Sequence, residues 1–440
     1  MKVCFVTHDS SHDIAGPSSW LRGLLPVLQM TGLEPEVHMV AIGARPSVNY
    51  AFFKDQGIPV HWVPFLTYAP YAVRMAHAVR SLLRLLKESR PDIYVPNGIV
   101  PAYYAGGYAR RAGIPTVGVV HNDDLYNRAQ VDEFINGDPD FRISAVVPVS
   151  TFLESQVSSM AEALGVMVRK IGYGVSNPVK TAELSASVFR LVYLGRLNEA
   201  QKRVSDVANA LCTVTQKIPN LEAWIVGDGE ARPAVEAILR QKGVGARVRL
   251  LGWVDNSQIY EVLAQCHALV LLSDYEGLPV AILEAMAAGV VPICLDARSG
   301  IREVIENGVS GLIVNDRTDD FVAKVKCLQS DPAKWRRLSF AARKTVKQNY
   351  SIEECSRQWV DLLEHLQRRA PSKAELPAFG MLRLPPPNPR YGALFSKNQI
   401  WKLKAKDYVK SVPPLRRLAL RTLEAGRKVK RAGFTAWIKK

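Results

Sequence analysis

In the stretch SDYEGLPVAILEAMAAG (273–289), two carboxylates, Glu276 and Glu284, are separated by seven residues. A Gly-Leu-Pro turn (277–279) follows the first, and a short apolar helix carries the second. Pro279 suits the first position of a helix, where a missing N–H does no harm. Gly289 suits the C-terminal cap. Glu276 then lies in the loop before a helix N-terminus, and Glu284 about one and a half turns inside. Unpaired backbone N–H groups at such a terminus make an anion site suited to a diphosphate. One carboxylate can face what the phosphates carry on one side, and the other what they carry on the opposite side. The same spacing also fits an ordinary capped helix with two surface glutamates.

The elements that position this segment follow from periodicity. Residues 1–175 alternate strand-like runs (Val3–Thr7, Glu36–Ile42, Val60–Val63, Asp92–Val95, Thr116–Val120, Ala145–Val149) with helical runs such as Ser18–Thr31, Tyr71–Ser89 and Ala102–Ala112. Such alternation implies βαβ units and a parallel sheet. Residues 176–187 are polar and unpatterned, a linker. The rhythm restarts over 188–350, with strands at Leu191–Leu194, Ala223–Val226, Val248–Leu251, Ala268–Leu272, Val290–Leu295 and Leu312–Val314, and helices including Val204–Thr215, Ala231–Lys242 and Asn256–Cys266. Residues 332–369 read as two more helices, the second (351–369) closing the domain and returning to the first. The fold class is α/β, two doubly wound domains facing a central cleft lined by strand-to-helix loops.

The composition of the 440-residue chain, 48% hydrophobic and 22% charged, is globular and implies two to three domains. No run approaches a membrane span. The start, MKVCFVTHDS, lacks the apolar region of a signal peptide. The six cysteines are scattered, without C-x-x-C or a Cys/His cluster, which argues against a disulfide framework or a zinc site and for a reducing cytoplasm. The net charge of +16 is uneven: residues 370–440 hold 17 Lys and Arg against 3 Asp and Glu, so the other 369 residues carry only +2. A near-neutral body argues against nucleic acid as a partner. The tail begins with Pro-rich LRLPPPNPRYG (382–392) and ends with mixed basic and apolar residues. Its segment 400–440 suits an anionic membrane surface; it equally suits a solvated tail packed on the body.

Six segments in chain order carry a resemblance: YLGRL (193–197), QKR (201–203), IVGDGE (225–230), VRLLGWV (248–254), LLSDYEGLPVAILEAMAAGVVPI (271–293) and ENGVSGLIV (306–314). They resemble the retaining family 4 glycosyltransferases, strongly over about 190–320 and weakly over the first domain. The resemblance implies the GT-B fold, two Rossmann-like domains facing a cleft, with a nucleotide-diphospho-sugar donor, a glycan or lipid-linked acceptor and no cofactor or metal. It implies that Arg196 and Lys202 meet the diphosphate, where paired cations stabilise the charge growing on a leaving group. Glu284 then accepts from ribose hydroxyls, Glu276 holds hydroxyls of the transferred sugar, and backbone at Gly277 and Leu278 meets the distal phosphate. Trp253 and Val254 lie in the turn that recognises the base. In the first domain, Gly16 brings backbone close to the ligand, and His121 touches the donor sugar.

The chain also departs from that pattern. One extra residue separates Arg196 from the lysine, which leaves Arg203 as a competitor to Lys202, and the first loop keeps only Gly16. Gly227 and Gly229 fit either a plain turn or a loop beside the cleft. Asp123 and Asp124 suit capping of a helix near Leu125. Asp138-Pro139-Asp140 spells D-x-D but sits in a turn context. Arg74, His77, Arg80, Arg84 and Lys87 share one side of a helix, a docking face for anionic lipid or a solvated one. No P-loop or G-x-S-x-G motif occurs. The expectation is a retaining, metal-independent glycosyltransferase acting in cell-surface polysaccharide or glycolipid synthesis, cytoplasmic and peripheral to the inner membrane face. An epimerase or phosphorylase on the same fold, or a non-catalytic nucleotide-sugar-binding protein, are the alternatives.

Overall fold

The computed structural model describes residues 1–10, 16–42, 48–66, 71–184, 187–376, 382–386 and 388. The N-terminal half forms strands β1 (Lys2–Ser10), β2 (Glu34–Ile42), β3 (Val60–Pro64), β4 (Ile93–Val95), β5 (Val117–Val120), β6 (Ala145–Pro148) and β7 (Met167–Val168). They pair in the orders β3-β2-β1-β4 and β5-β6-β7. A single parallel bridge, Tyr94 to Thr116, joins the two sets. The C-terminal half forms β8 (Phe189–Leu194), β9 (Leu221–Val226), β10 (Val248–Gly252), β11 (Ala268–Leu271), β12 (Val291–Leu295) and β13 (Leu312–Val314), ordered β10-β9-β8-β11-β12-β13. Every pairing between these strands is parallel. The C-terminal order reverses direction between β8 and β11, the switch point where doubly wound sheets bind ligands. Both loops that carry the candidate phosphate contacts leave from there.

Central strands such as Ala145–Pro148 and Ala268–Leu271 are buried along their whole length, as sheets covered by helices on both faces require. The helix Tyr71–Ser89 buries Met75, Ala78, Val79, Leu82, Leu83 and Leu86, the 3.6-residue stripe that made it legible. Several local features differ from expectation. Asn256–Cys266 is a 3-10 turn, Asn256–Gln258, followed by the short helix Ile259–Leu263. The helix Val48–Asp55, with Phe53 buried, and the two-residue β7 carry too little periodic signal to be read. Pro279 is the N-cap of the helix Val280–Ala287 rather than its first residue. Gly289, at φ +79°, lies one position beyond the C-cap Ala288.

The last described helix, Ile352–Arg368, crosses back to the N-terminal domain. Ser351 caps it by accepting from Glu354 N–H at 3.2 Å. Val175 N–H donates to Tyr350 O, and Ile352 N–H to Val175 O, pinning the crossover. Trp359 is fully buried against Phe5 and Trp20, with ring centroids 6.1 and 5.5 Å away. Truncating such a tryptophan costs about 3–5 kcal/mol, so this anchor fixes the second domain's last helix to the first domain's core. Beyond it, Lys373 pairs with Asp92 at 2.7 Å, and Tyr108 Oη donates to Arg383 O at 2.8 Å. The basic segment 400–440 lies outside the described residues. No helix among the described residues is long and apolar enough to cross a membrane.

Candidate functional site

Three loops interlock at the C-terminal ends of β8, β9 and β10. Tyr193 Oη donates to Arg196 O at 2.7 Å, Leu197 N–H to Asp228 O at 2.9 Å, and Gly227 N–H to Gly252 O at 2.8 Å. Gly227 has φ +137°, and a Cβ there would stand 1.9 Å from the Gly195 carbonyl oxygen. Only glycine lets these loops cross; Gly229 is held the same way against Leu197. Both glycines thus serve the loop crossing. The result presents Arg196 as an exposed side chain at the strand end. Trp253, 48% exposed, and the half-buried Val254 follow Gly252 on the same rim.

Lys202 opens the next helical segment and its ammonium sits 2.5 Å from Glu276 Oε1. Gln201 Nε2 donates to Glu276 Oε2 at 3.0 Å and to Tyr275 O at 3.1 Å. Glu276 is therefore buried but fully partnered, as a buried carboxylate must be. Arg203 goes elsewhere: its backbone is left-handed (φ +51°), and its guanidinium pairs with Asp206 at 2.8 Å and Asp274 at 3.9 Å. Lys202 is thus the cation that turns inward. Arg196, exposed just after β8, is separated from the Gln201–Lys202 pair by four residues of the same loop.

Gly277 packs directly on the first domain: a Cβ would lie 1.9 Å from the His121 carbonyl oxygen. Among the described residues no acceptor is found for the N–H groups of Gly277 and Leu278. They precede the Val280–Ala287 helix in the chain, whose N-terminus adds a partial positive charge. Glu284 sits in that helix, half-buried, with no hydrogen-bond partner for its carboxylate among the described residues. Burial pushes its carboxyl up to about 7. Its charge is felt by Tyr260, whose hydroxyl donates to Ser176 O at 2.8 Å.

On the facing domain, His121 directly follows β5 and is buried. Its Nδ1 lies 2.6 Å from Tyr173 Oη and its Nε2 2.8 Å from Asn97 Oδ1. The Asn97 contact fixes the proton on Nε2, leaving Nδ1 to accept from the tyrosine. Burial drives the imidazole down to about 3, so it stays neutral at working pH. Trp20 meets it edge-on, with centroids 5.8 Å apart. Gly16, expected in the preceding loop, is instead the first residue of the helix Gly16–Met30.

The domains are tied together around this point. Asp123 accepts two hydrogen bonds from Arg128, at 2.6 and 2.8 Å, and pairs with Arg298 of the other domain at 3.0 Å. Thr151 N–H donates to Glu303 Oε2 at 2.7 Å, and Arg22 stands 3.6 Å from Asp255. Asp124 caps the helix Leu125–Val131 by accepting from Asn127 N–H. In the D-x-D stretch, Asp138 accepts from Asp140 N–H to close a 3-10 turn, and Asp140 pairs with Arg111. On the helix Tyr71–Ser89, Arg80, Arg84 and Lys87 are exposed, while Arg74 and His77 are half-buried and Arg74 stacks on Tyr71 and Phe65.

Gln201, Asn97, Tyr173 and Arg298 had no supporting role in the sequence reading, and Asp123, read there as a helix cap, instead holds Arg128 and Arg298 while Asp124 alone caps. Asn97-Gly98, both with positive φ after β4, is the one pair with a readable signal, since Asn-Gly marks a tight turn at a strand end.

This site, at the switch point of one doubly wound domain and closed by a second, is that of a GT-B enzyme. The family model for glycosyl transferases group 1 matches residues 183–345, and that for the glycosyl transferase 4-like domain matches 18–174. The chain belongs to the group 1, family 4-like glycosyltransferases, and it is an enzyme of that class. It is 27% identical over 318 residues to a lipopolysaccharide 1,6-galactosyltransferase of Salmonella typhimurium, covering 67% of this chain and 84% of that protein. It is 24% identical to an α-D-kanosaminyltransferase of Streptomyces kanamyceticus, covering 62% and 77%. Its fold is similar to that of Anabaena HepE in complex with UDP-glucose, with a TM-score of 0.67 at 19% identity, covering 83% of this chain and 100% of that one.

Proposed function

We propose that this enzyme moves a sugar from a nucleoside-diphosphate sugar to a hydroxyl of a glycan or lipid-linked acceptor, with retention and without a metal ion, in cell-surface polysaccharide or lipopolysaccharide assembly. One observation carries the reading: the Lys202–Glu276 pair stands at the mouth of a helix preceded by two N–H groups with no acceptor among the described residues, and Arg196 is exposed in the loop that leads to Lys202. An anion entering there meets two cations and a helix N-terminus, so the developing charge on a leaving diphosphate is met by fixed groups. Glu276, relieved of Lys202 by the phosphates, accepts from sugar hydroxyls. Glu284, whose carboxylate has no hydrogen-bond partner among the described residues, accepts from the ribose diol. His121, neutral and locked, offers its peptide backbone and ring as a fixed wall rather than as an acid or base.

Within this account the acceptor hydroxyl attacks from the face the diphosphate leaves, and the departing phosphate takes its proton. No divalent ion is needed to neutralise the phosphates, because Arg196 and Lys202 do so. UDP and UDP-glucose in structural relatives and the lipopolysaccharide transferase among sequence relatives favour a uridine donor and a surface-glycan acceptor. A thermal-shift screen of nucleotide sugars tests the reading, since a true donor stabilises the native state by mass action. One donor family standing out, followed by transfer with an α-to-α or β-to-β product and no added divalent ion, supports it. No stabilising nucleotide sugar, or an inverted product, contradicts it. For the basic segment 400–440 we propose contact with anionic lipid; its deletion should abolish sedimentation with phosphatidylglycerol vesicles while donor binding persists.

A further inference from the structure

The N-terminal sheet buries a second group of reactive side chains away from the cleft. Cys4 on β1 and Glu36 on β2 are register partners. His38 lies two residues along β2, on the same face. His61 on β3 is the register partner of His38. A sulfur of Cys4, a carboxylate oxygen of Glu36 and a ring nitrogen of His38 all lie within 4.8 Å of one another. None of these three residues is more than 3% exposed. Glu36 Oε1 stands 3.3 Å from His38 Nε2, and Glu36 also interacts with the Cys4 thiol and the Ser89 hydroxyl, while His38 Nδ1 lacks a hydrogen-bond partner among the described residues. The buried Tyr94 hydroxyl also has no hydrogen-bond partner among the described residues. Lys2 lies 3.9 Å from the other oxygen of Glu36.

Buried polar atoms are rarely left unpaired. A thiol, an imidazole and a carboxylate with lone pairs to spare form the donor set of zinc-type ions. Bonds of about 2.0–2.1 Å to a tetrahedral ion hold its nitrogen and oxygen ligands about 3.3 Å apart, the separation seen between Glu36 and His38. We propose that Cys4, Glu36 and His38 bind one transition-metal ion of the zinc type as a structural tie between β1 and β2. His61, edge-on to His38 with ring centroids 5.3 Å apart, is the candidate fourth ligand. The soft sulfur selects zinc or cobalt over magnesium or calcium. Cys4 is six residues, roughly 20 Å of strand, before the end of β1 that faces the cleft, so the ion takes no part in sugar transfer. No C-x-x-C spacing announced the site, because its donors meet only through parallel strand pairing.

The test uses full-length protein without a polyhistidine tag, stripped with chelator and titrated with Co²⁺ or Zn²⁺. One equivalent of cobalt should bind with a thiolate-to-cobalt charge-transfer band and tetrahedral d–d bands, and zinc should displace it and raise Tm. Cys4→Ser and His38→Gln should each remove the band and weaken retention roughly tenfold or more. Cys327→Ser, at the exposed cysteine, should change neither. Zinc-edge X-ray absorption on the wild-type protein should show one sulfur with nitrogen and oxygen neighbours, whatever the variants' folding. Wild-type protein that retains no metal, a band that survives Cys4→Ser, or a sulfur-free zinc shell overturns the proposal.

Discussion

Gly277→Ala isolates what domain contact contributes to turnover. The backbone of Gly277 is not left-handed, so alanine is free to adopt its conformation. The obstacle lies across the interface: the new Cβ would stand 1.9 Å from the His121 carbonyl oxygen and 3.1 Å from Asn122 Cα. Real Cβ atoms essentially never come closer than 3.0 Å to such an atom. The two domains must therefore part by at least about 1.1 Å at this point. Both obstructing atoms are backbone, so no side chain can swing aside. A misplacement of about 1 Å at a reacting centre can cost on the order of 10²-fold in rate. The expected variant has kcat for sugar transfer lowered about 10²-fold, donor affinity within a few-fold of wild type, and a larger radius of gyration by small-angle scattering. Its Tm should shift by no more than about 2 °C, because each domain keeps its own core. Wild-type turnover would refute the reasoning. So would a large fall in Tm with unchanged scattering, which would make Gly277 a packing residue and nothing more.

Three further predictions follow from the same geometry. Arg196→Ala should lower kcat about 10²-fold through lost stabilisation of the leaving group, with Tm unchanged because the side chain is exposed; steady-state kinetics decide it, and near-normal kcat counts against the mechanism. Burial pushes the Glu284 carboxyl from 4.5 up to about 7, so apo stability should fall by up to about 3 kcal/mol as pH rises from below 4.5 through 7. Urea unfolding at pH 5 and 8 should show that loss in the wild type and not in Glu284→Gln, while donor affinity of the wild type rises over the same interval. His121, held near 3 by burial, should show no imidazole titration by NMR between pH 5 and 8; a midpoint near 6.5 would contradict the buried, two-sided clamp by Tyr173 and Asn97.

Local signals were legible where one strand, one loop and one helix suffice. The run from β11 through Glu276 to Glu284 could be read because a turn, a proline and an apolar helix follow in sequence. The parallel strands of both domains, the two-residue β7 apart, were readable for the same reason, as apolar runs set between helical periods. What the sequence withheld depends on meetings across distance. Lys202 and Arg203 are equivalent on paper, and only the left-handed backbone at Arg203 sends one outward and the other to Glu276. His121 meets Asn97 and Tyr173 from separate loops, so neither its neutral state nor its tautomer had a local signature. Gly227 and Gly229 looked like either turn or ligand residues, and the Gly195 and Leu197 carbonyls behind them show that crossing loops demand them. Cys4, Glu36 and His38 come together through strand register, which spacing within one strand does not encode.

The most direct measurement is a crystal structure of the enzyme with the nucleotide sugar that the thermal-shift screen selects. The account predicts both phosphates within hydrogen-bond reach of Arg196, Lys202 and the N–H of Leu278, with Glu284 on the ribose and the sugar against Glu276. Density for the diphosphate elsewhere, with Lys202 still closed on Glu276, would contradict it.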